Sequence, residues 1–287
     1  MSRIAYVDGR YLRYAEARVP IDDRGYQFGD GIYEVCEIRD GALIDETRHL
    51  ARFERSLAAL RIRAPTSLAA LRFIMREIVA RNRVRDGIVY VQATRGAARR
   101  DHGFPEPRTR PGLVVTARAI DRQVGEARAA KGVRVISAPD LRWARPDIKS
   151  LQLLPNVLAK QAARDRGAYE AWLFDDRGHI TEGASTNAWI VTAAGVLATR
   201  QADQAILRGV TRTSLLDLLA AEGLGFEERA FSLEEAYGAR EAFLTSALNI
   251  VMPVVAIDDR MIGDGRPGPL ALSLRGKFHG HAEASRA

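Results

Sequence analysis

Apolar and polar residues alternate at the start of the chain, and the alternation returns in short bursts. Residues 4–7 read as a strand, as do 33–38 and 42–45, the latter two around an Asp40-Gly41 turn. The apolar period then lengthens from two to between three and four. Residues 47–61 place Leu50, Phe53, Leu57 and Leu60 on one face, and 66–81 do the same with Leu68, Leu71, Met75 and Ile78. Two amphipathic helices are predicted there. Strands over 87–94 and 113–119 follow, separated by 95–111, a long loop rich in Arg, Gly and Pro. Long ordered loops often carry function.

From 119 to 130 the pattern turns polar, which suggests a linker over 121–130. A second set of elements begins at Lys131: strands over 133–137, 168–174, 188–192, 241–245 and 251–257, and helices over 153–166, 211–222 and 269–278. Strands and helices mix without βαβ alternation. The expected fold class is therefore α+β, with a smaller domain over 1–120 and a larger one over 131–287. The polar end of the chain, from His279, is expected to fray.

Composition narrows the function classes. Of 287 residues, 47% are apolar and 28% charged, which excludes global disorder and collagen-like order. No apolar run reaches the roughly 18 residues of a membrane span, so no membrane partner is expected. The N-terminus has no apolar signal core and the single Cys36 allows no internal disulfide; both fit a cytoplasmic protein. One cysteine also cannot build a Cys-rich zinc site. The net charge of +7 raises the possibility of a polyanion partner, but basic residues are scattered among acidic ones, so no nucleic acid is expected. Only four lysines exist, at 131, 149, 160 and 277, which leaves few amine nucleophiles.

Five segments carry candidate chemistry. In Asp147-Ile148-Lys149-Ser150, Lys149 precedes an apolar run. Apolar surroundings favour the neutral amine, which can form a Schiff base, but from these residues alone a lysine snorkelling at a domain surface is the better reading. Thr181-Glu182-Gly183-Ala184-Ser185-Thr186-Asn187 sets one carboxylate among small hydrogen-bonding residues, either a rigid ligand contact or a polar turn. Leu207-Arg208-Gly209-Val210-Thr211-Arg212 opens a helix, where free N–H groups suit a phosphate, or where Thr211 simply caps. Arg100 and His102 stand two apart in the long loop, able to grip a carboxylate together or to sit solvated. Finally, a Gly29-Asp30-Gly31 turn feeds a strand beginning at Tyr33, whose phenol stands at the strand's mouth.

Taken in order, these pieces resemble the fold-type IV (class IV) pyridoxal-phosphate aminotransferases, with the loop over 95–106 pointing to the D-amino-acid branch. The resemblance covers nearly the whole chain, and its most specific parts are 27–35, 147–154 and 181–187. It implies transamination between amino acids and 2-oxo acids with pyridoxal 5'-phosphate as cofactor. Lys149 would be the Schiff-base lysine and proton carrier, and Glu182 the partner of the pyridine nitrogen. Arg52 matches the phosphate-binding arginine, with the N–H groups of Val210 and Thr211 completing the cup. Tyr33, Arg100 and His102 match the trap for the substrate carboxylate, the last two reaching over from a neighbouring subunit, so a homodimer is implied. One departure stands out. Where the family carries hydroxyl residues, this chain has Ala247 and Leu248, leaving Ser246 and the Ala247 N–H to reach the phosphate. Within the superfamily, a branched-chain L-amino-acid aminotransferase, an aminodeoxychorismate lyase or an (R)-amine aminotransferase are the alternatives.

Overall fold

Strand alternation builds the first sheet in the computed structural model, which describes residues 3–286. The described residues fall into two units. One runs to Asp121 and takes in Ile148–Gln152 and the stretch from Glu283; the other comprises Arg122–Asp147 and Leu153–Ala282.

The first unit contains β1 (Ile4–Val7), β2 (Arg10–Arg13), α1 (Arg24–Phe28), β3 (Gly31–Arg39), β4 (Ala42–Ile44), α2 (Glu46–Ala59), α3 (Leu68–Arg81), β5 (Gly87–Thr94) and β6 (Gly112–Ala119). The second contains α4 (Arg122–Lys131), β7 (Val133–Pro139), α5 (Leu154–Asp165), β8 (Glu170–Phe174), β9 (Ile180–Gly183), β10 (Asn187–Val191), β11 (Leu197–Thr199), α6 (Val210–Ala221), β12 (Phe226–Glu228), α7 (Leu233–Tyr237), β13 (Glu241–Ser246), β14 (Ile250–Ile257), β15 (Arg260–Met261) and α8 (Pro269–His281). A last strand, β16 (Ala284–Ser285), returns to the first unit.

The first sheet is antiparallel, in the order β16-β4-β3-β5-β6-β1-β2. β3 and β5 pair from Gly31↔Thr94 to Ile38↔Gly87. Along β3, Glu34, Cys36 and Ile38 are buried while Tyr33, Val35 and Glu37 are half-buried, as a period of two requires. The buried face packs on Leu50, Phe53 and Leu57 of α2 and Leu71, Met75 and Ile78 of α3. Asp40 and Gly41 both have positive φ, the geometry of a tight two-residue hairpin.

The second sheet is mixed, in the order β12-β11-β10-β13-β14-β7-β8-β9, with β15 on β14. β11–β12, β14–β7 and β7–β8 are parallel. Its core gathers Trp172, Ile180, Ile190, Phe231, Leu244 and Met252. Both sheets with their helices match the expected α+β class.

Four local expectations are corrected. The polar stretch read as a linker is the helix α4, which buries only Ala129 and so leaves almost no apolar stripe in the sequence. The polar tail is anchored: β16 pairs with β4, the unpaired edge of the first sheet, and the Glu283 carboxylate accepts from Thr47 Oγ1 at 2.8 Å. β3 begins at Gly31 rather than Tyr33, and α6 is capped by Gly209, so Thr211 lies inside the first turn.

The turn into β3 depends on its small residues. Asp23 caps α1 by accepting from Gly25 N at 2.8 Å, and Gly29 ends it in the left-handed conformation at φ 67°. A Cβ on Gly31 would stand 2.6 Å from the Ala93 carbonyl and 2.8 Å from Leu151 Cδ1. Gly31→Ala should therefore lower stability by about 1–3 kcal/mol, the usual penalty of overpacking. Gly225→Ala, into open space, should change it by less than about 0.5 kcal/mol. Urea unfolding of both variants checks this; equal small changes would show that β3 accommodates the methyl.

Candidate active site

In the first unit the site is built where β3 begins. The segment Ile148–Gln152 lies against that strand. Tyr33 N–H donates to Lys149 O at 3.0 Å, Leu151 N–H donates to Gly31 O at 3.0 Å, and Ser150 bridges Ile32. This brings two expected residues together: Lys149 Nζ lies 4.0 Å from the centroid of the Tyr33 ring. Beside them on the same face are Tyr90 and Gln92 of β5. Tyr90 stacks on Tyr33 at 5.8 Å and donates its hydroxyl proton to Gln92 Oε1 at 2.7 Å. Burial, then the neighbouring Tyr33, pushes the Tyr90 phenol up to about 12, so it stays a neutral donor.

On the opposite, buried face of β3 sits Glu34. Two residues one turn apart on α2 reach it. Arg52 donates from Nε to Oε1 at 2.7 Å and from Nη2 to Oε2 at 2.8 Å, while His49 Nδ1 lies 2.7 Å from Oε2. Burial pushes the Glu34 carboxyl up, but Arg52 and His49 together outweigh it and bring it down to about 2. The sequence pointed to Arg52 and not to Glu34, its fixed partner. Arg100 and His102 extend from the long loop and are exposed, both lying against the Phe28 ring.

In the second unit three separate segments converge. Glu182, in β9, is buried and paired with Arg142. Its other contacts are Asn187 Nδ2, donating to Oε2 at 2.9 Å, and Leu207 N–H, donating to Oε1 at 3.1 Å. Asn187 also donates to Leu207 O at 3.0 Å, tying the 181–187 segment to the approach to α6. No side chain caps α6, so its first-turn N–H groups, those of Val210 and Thr211 among them, are not satisfied from within the helix. A Cβ on Gly209 would meet Asn187 Oδ1 at 2.0 Å, so only glycine lets the helix start come this close. Because β10 pairs with β13 at Asn187↔Thr245, Ser246 is one step away. Its Oγ accepts from Asn249 N and Nδ2 at 3.2 and 3.0 Å, which leaves its own O–H to donate. Ala247 follows in a turn closed by Ile250 at φ 57°, a strained conformation for a β-branched residue.

Arg142 escaped the sequence reading; Asp140-Leu141-Arg142 before Trp143 was the only signal. Its Nε and Nη2 also donate to Asp140 at 2.9 and 2.6 Å. Burial opposes the Arg142 charge, yet Glu182 and Asp140 more than compensate and hold it more firmly than usual. Burial pushes the Glu182 carboxyl above its ordinary range, against the pull of Arg142 and the Leu207 N–H.

A family model for amino-transferase class IV matches residues 31–257. The chain is 42% identical to a D-alanine aminotransferase of Bacillus licheniformis over 93% of both chains. It is 37% identical to one of Staphylococcus haemolyticus, over 97% of this chain and 98% of that one. Among solved structures, the T.th. branched-chain amino acid aminotransferase with pyridoxamine 5'-phosphate superposes with a TM-score of 0.90 at 25% identity, covering 99% of this chain and 98% of that one. The Escherichia coli branched-chain enzyme, at TM-score 0.91 and 22% identity, covers 98% and 94% and shares the fold.

The Glu34 cluster makes a stability prediction. Since the folded state lowers this carboxyl from 4.5 to about 2, its stabilisation is complete above about pH 4.5 and is lost as pH falls toward 2. Glu34→Gln strands Arg52 as a buried charge and should remove about 3–5 kcal/mol at neutral pH. Thermal melts across pH should show the gap to wild type closing between pH 4.5 and 2. A gap constant across that window would rule out the charge as its source.

Proposed function

The chain belongs to the class IV aminotransferases, and we propose that it transfers the amino group of D-amino acids to 2-oxo acids, with pyridoxal 5'-phosphate held on Lys149. The observation that carries this is the Lys149 amine beside the Tyr33 ring, on a backbone pinned to the start of β3. The residues present fit the cofactor. They supply an amine, a buried carboxylate, and a helix start that is uncapped and glycine-led, with the Ser246 hydroxyl next to Asn187. When bound, pyridoxal phosphate supplies the carbonyl that takes up the amino group and a ring that accommodates the electron pair left on Cα.

Lys149 acts as the base. Its amine, 4.0 Å from the Tyr33 ring centroid, would take and return the proton at the substrate Cα. Glu182 holds the proton on the ring nitrogen. Arg142, Asn187 and the Leu207 N–H fix both of its oxygens, so the carboxylate is held in one place for that contact. The phosphate is received by the N–H groups of Val210 and Thr211 and by Ser246 and the Ala247 N–H, whereas Arg52, which the sequence matched to the phosphate, commits its Nε and Nη2 to Glu34 on the buried face of β3. Tyr33, Arg100 and His102 bind the substrate carboxylate, and the side on which they hold it decides which Cα face meets Lys149. The 42% identity to a D-alanine aminotransferase favours D-amino acids over the branched-chain L-substrates of the 25% identical structural neighbour.

A homodimer fits two features. Arg100 and His102 stand exposed on the loop, suited to a neighbour's site. On α5, Leu154, Val157 and Leu158 form an i, i+3, i+4 apolar face exposed to 68%, 58% and 60%. The buried lone Cys36 suits a reducing cytoplasm.

Borohydride reduction of the loaded protein, followed by peptide mapping, should tag Lys149; a tag on Lys131, Lys160 or Lys277 would overturn the assignment. Glu182→Gln should leave the cofactor bound but slow turnover with D-alanine by about 10²–10⁴. Near-normal turnover would remove Glu182 from the chemistry.

A further inference from the structure

Three nitrogen-bearing side chains gather on one aromatic ring in the first unit. Phe28 is the last residue of α1. Arg24 Cζ lies 4.8 Å and Arg100 Cζ 5.2 Å from its centroid, and the His102 ring lies 5.5 Å away, tilted by 59°. The backbone that carries the ring is anchored: Gln152 Nε2 donates to Phe28 O at 2.6 Å. Arg24 is buried and fixed. Its Nε donates to Asp30 Oδ2 at 2.8 Å and its Nη1 to Asp101 O at 2.6 Å, so it also grips the loop between Arg100 and His102. Further along, Phe104 lies under Arg95 and Arg61, with Cζ at 3.8 and 4.7 Å. The backbone of the loop is thus held at both ends. Among the described residues, no carboxylate pairs with Arg100 or His102, and the Phe28 face is what their side chains lie against.

We infer that Phe28 is the positioning residue that presents Arg100 and His102 as one carboxylate-binding pair, and so sets how tightly an α-carboxylate is held. The inference rests on the reading of that pair given above. Its physical basis is the difference between an aromatic face and a carboxylate as a cation's neighbour. A carboxylate would fix the two side chains but neutralise them. The ring's quadrupole attracts the Arg100 guanidinium and its face takes the tilted His102 ring, in neither case supplying a counter-charge, so both side chains remain available to an anion. Arg24, the third group on the ring, already has Asp30 as its counter-charge and does not compete for the ligand. Holding two exposed side chains in place beforehand also reduces the freedom lost when substrate binds.

The test compares KM for D-alanine, Ki for propionate and kcat in the loaded enzyme. Propionate offers a carboxylate and no amine, so its Ki reads the carboxylate contacts apart from those to the amino group. Phe28→Leu should raise both KM and Ki by about three- to tenfold and leave kcat within about twofold. Phe28→Tyr, which keeps the ring, should stay near wild type. In an Arg100→Ala background, Phe28→Leu should add less than it does alone, because one of its two clients is gone. If Arg100→Ala raises KM and Ki while Phe28→Leu does not, the platform is wrong and the carboxylate pair stands. The same factor in both backgrounds also overturns the platform. If Arg100→Ala changes neither constant, the carboxylate reading fails and the platform with it. Should Phe28→Leu not fold, Phe28→Met is read by the same criteria.

Discussion

The placement of Lys149 depends on two backbone hydrogen bonds, from Tyr33 N–H to Lys149 O and from Leu151 N–H to Gly31 O. A lysine side chain is long and its rotamers are many, so a reactive amine is only as well placed as its backbone. Here the backbone is placed by the mouth of β3, and that mouth exists because Gly31 has no side chain to hold Ala93 and Leu151 away. The Gly29 C-cap and the Asp30 pairs with Arg24 and Arg95 aim the chain into the strand. Small residues that look like turn punctuation therefore determine where the Lys149 amine stands.

How much of this is legible in the sequence depends on whether a residue acts through its neighbours in sequence or in space. α2 and α3 could be read because their apolar residues recur at helical spacing and the core takes up those same residues. β5 could be read to the residue, since both its ends are marked by a change of pattern. α4 could not. Its one buried apolar residue is Ala129 and charged side chains make further contacts, Glu126 to Arg275 and Arg128 to the Tyr169 ring, so no apolar periodicity betrays it, and Val124 is exposed. β16 is two residues long and exists because β4 offers an open edge, which no local pattern in 284–285 records.

The same rule divides the candidate site. Lys149, Glu182 and the start of α6 sit in segments whose composition is unusual by itself. Asn187 was visible as part of such a segment, but its bonds to both Glu182 and Leu207 join two stretches 20 residues apart. Glu34 and Arg142 were hidden for a plain reason. A buried charge in sequence looks like a surface charge, and only the fold shows which opposite charge makes its burial tolerable.

Glu34 and Glu182 show how similar pairs acquire different properties. Each is a buried glutamate gripped by an arginine, yet one carboxyl is driven down to about 2 and the other is raised. The difference lies in how the arginine is shared. Arg52 donates twice to Glu34, and His49 adds a further partner at Oε2, so desolvation is outweighed. Arg142 turns two of its donors to Asp140 and only Nη1 to Glu182. Asp140 thereby both dilutes the cation and adds an anion that disfavours ionisation of Glu182. A carboxylate held like Glu34 has almost no affinity left for a proton, which suits a structural lock. One held like Glu182 keeps that affinity while its oxygens stay fixed by Asn187 and the Leu207 N–H. The ring-nitrogen role proposed for Glu182 would use that fixed carboxylate, whereas both oxygens of Glu34 are already taken by Arg52 and His49.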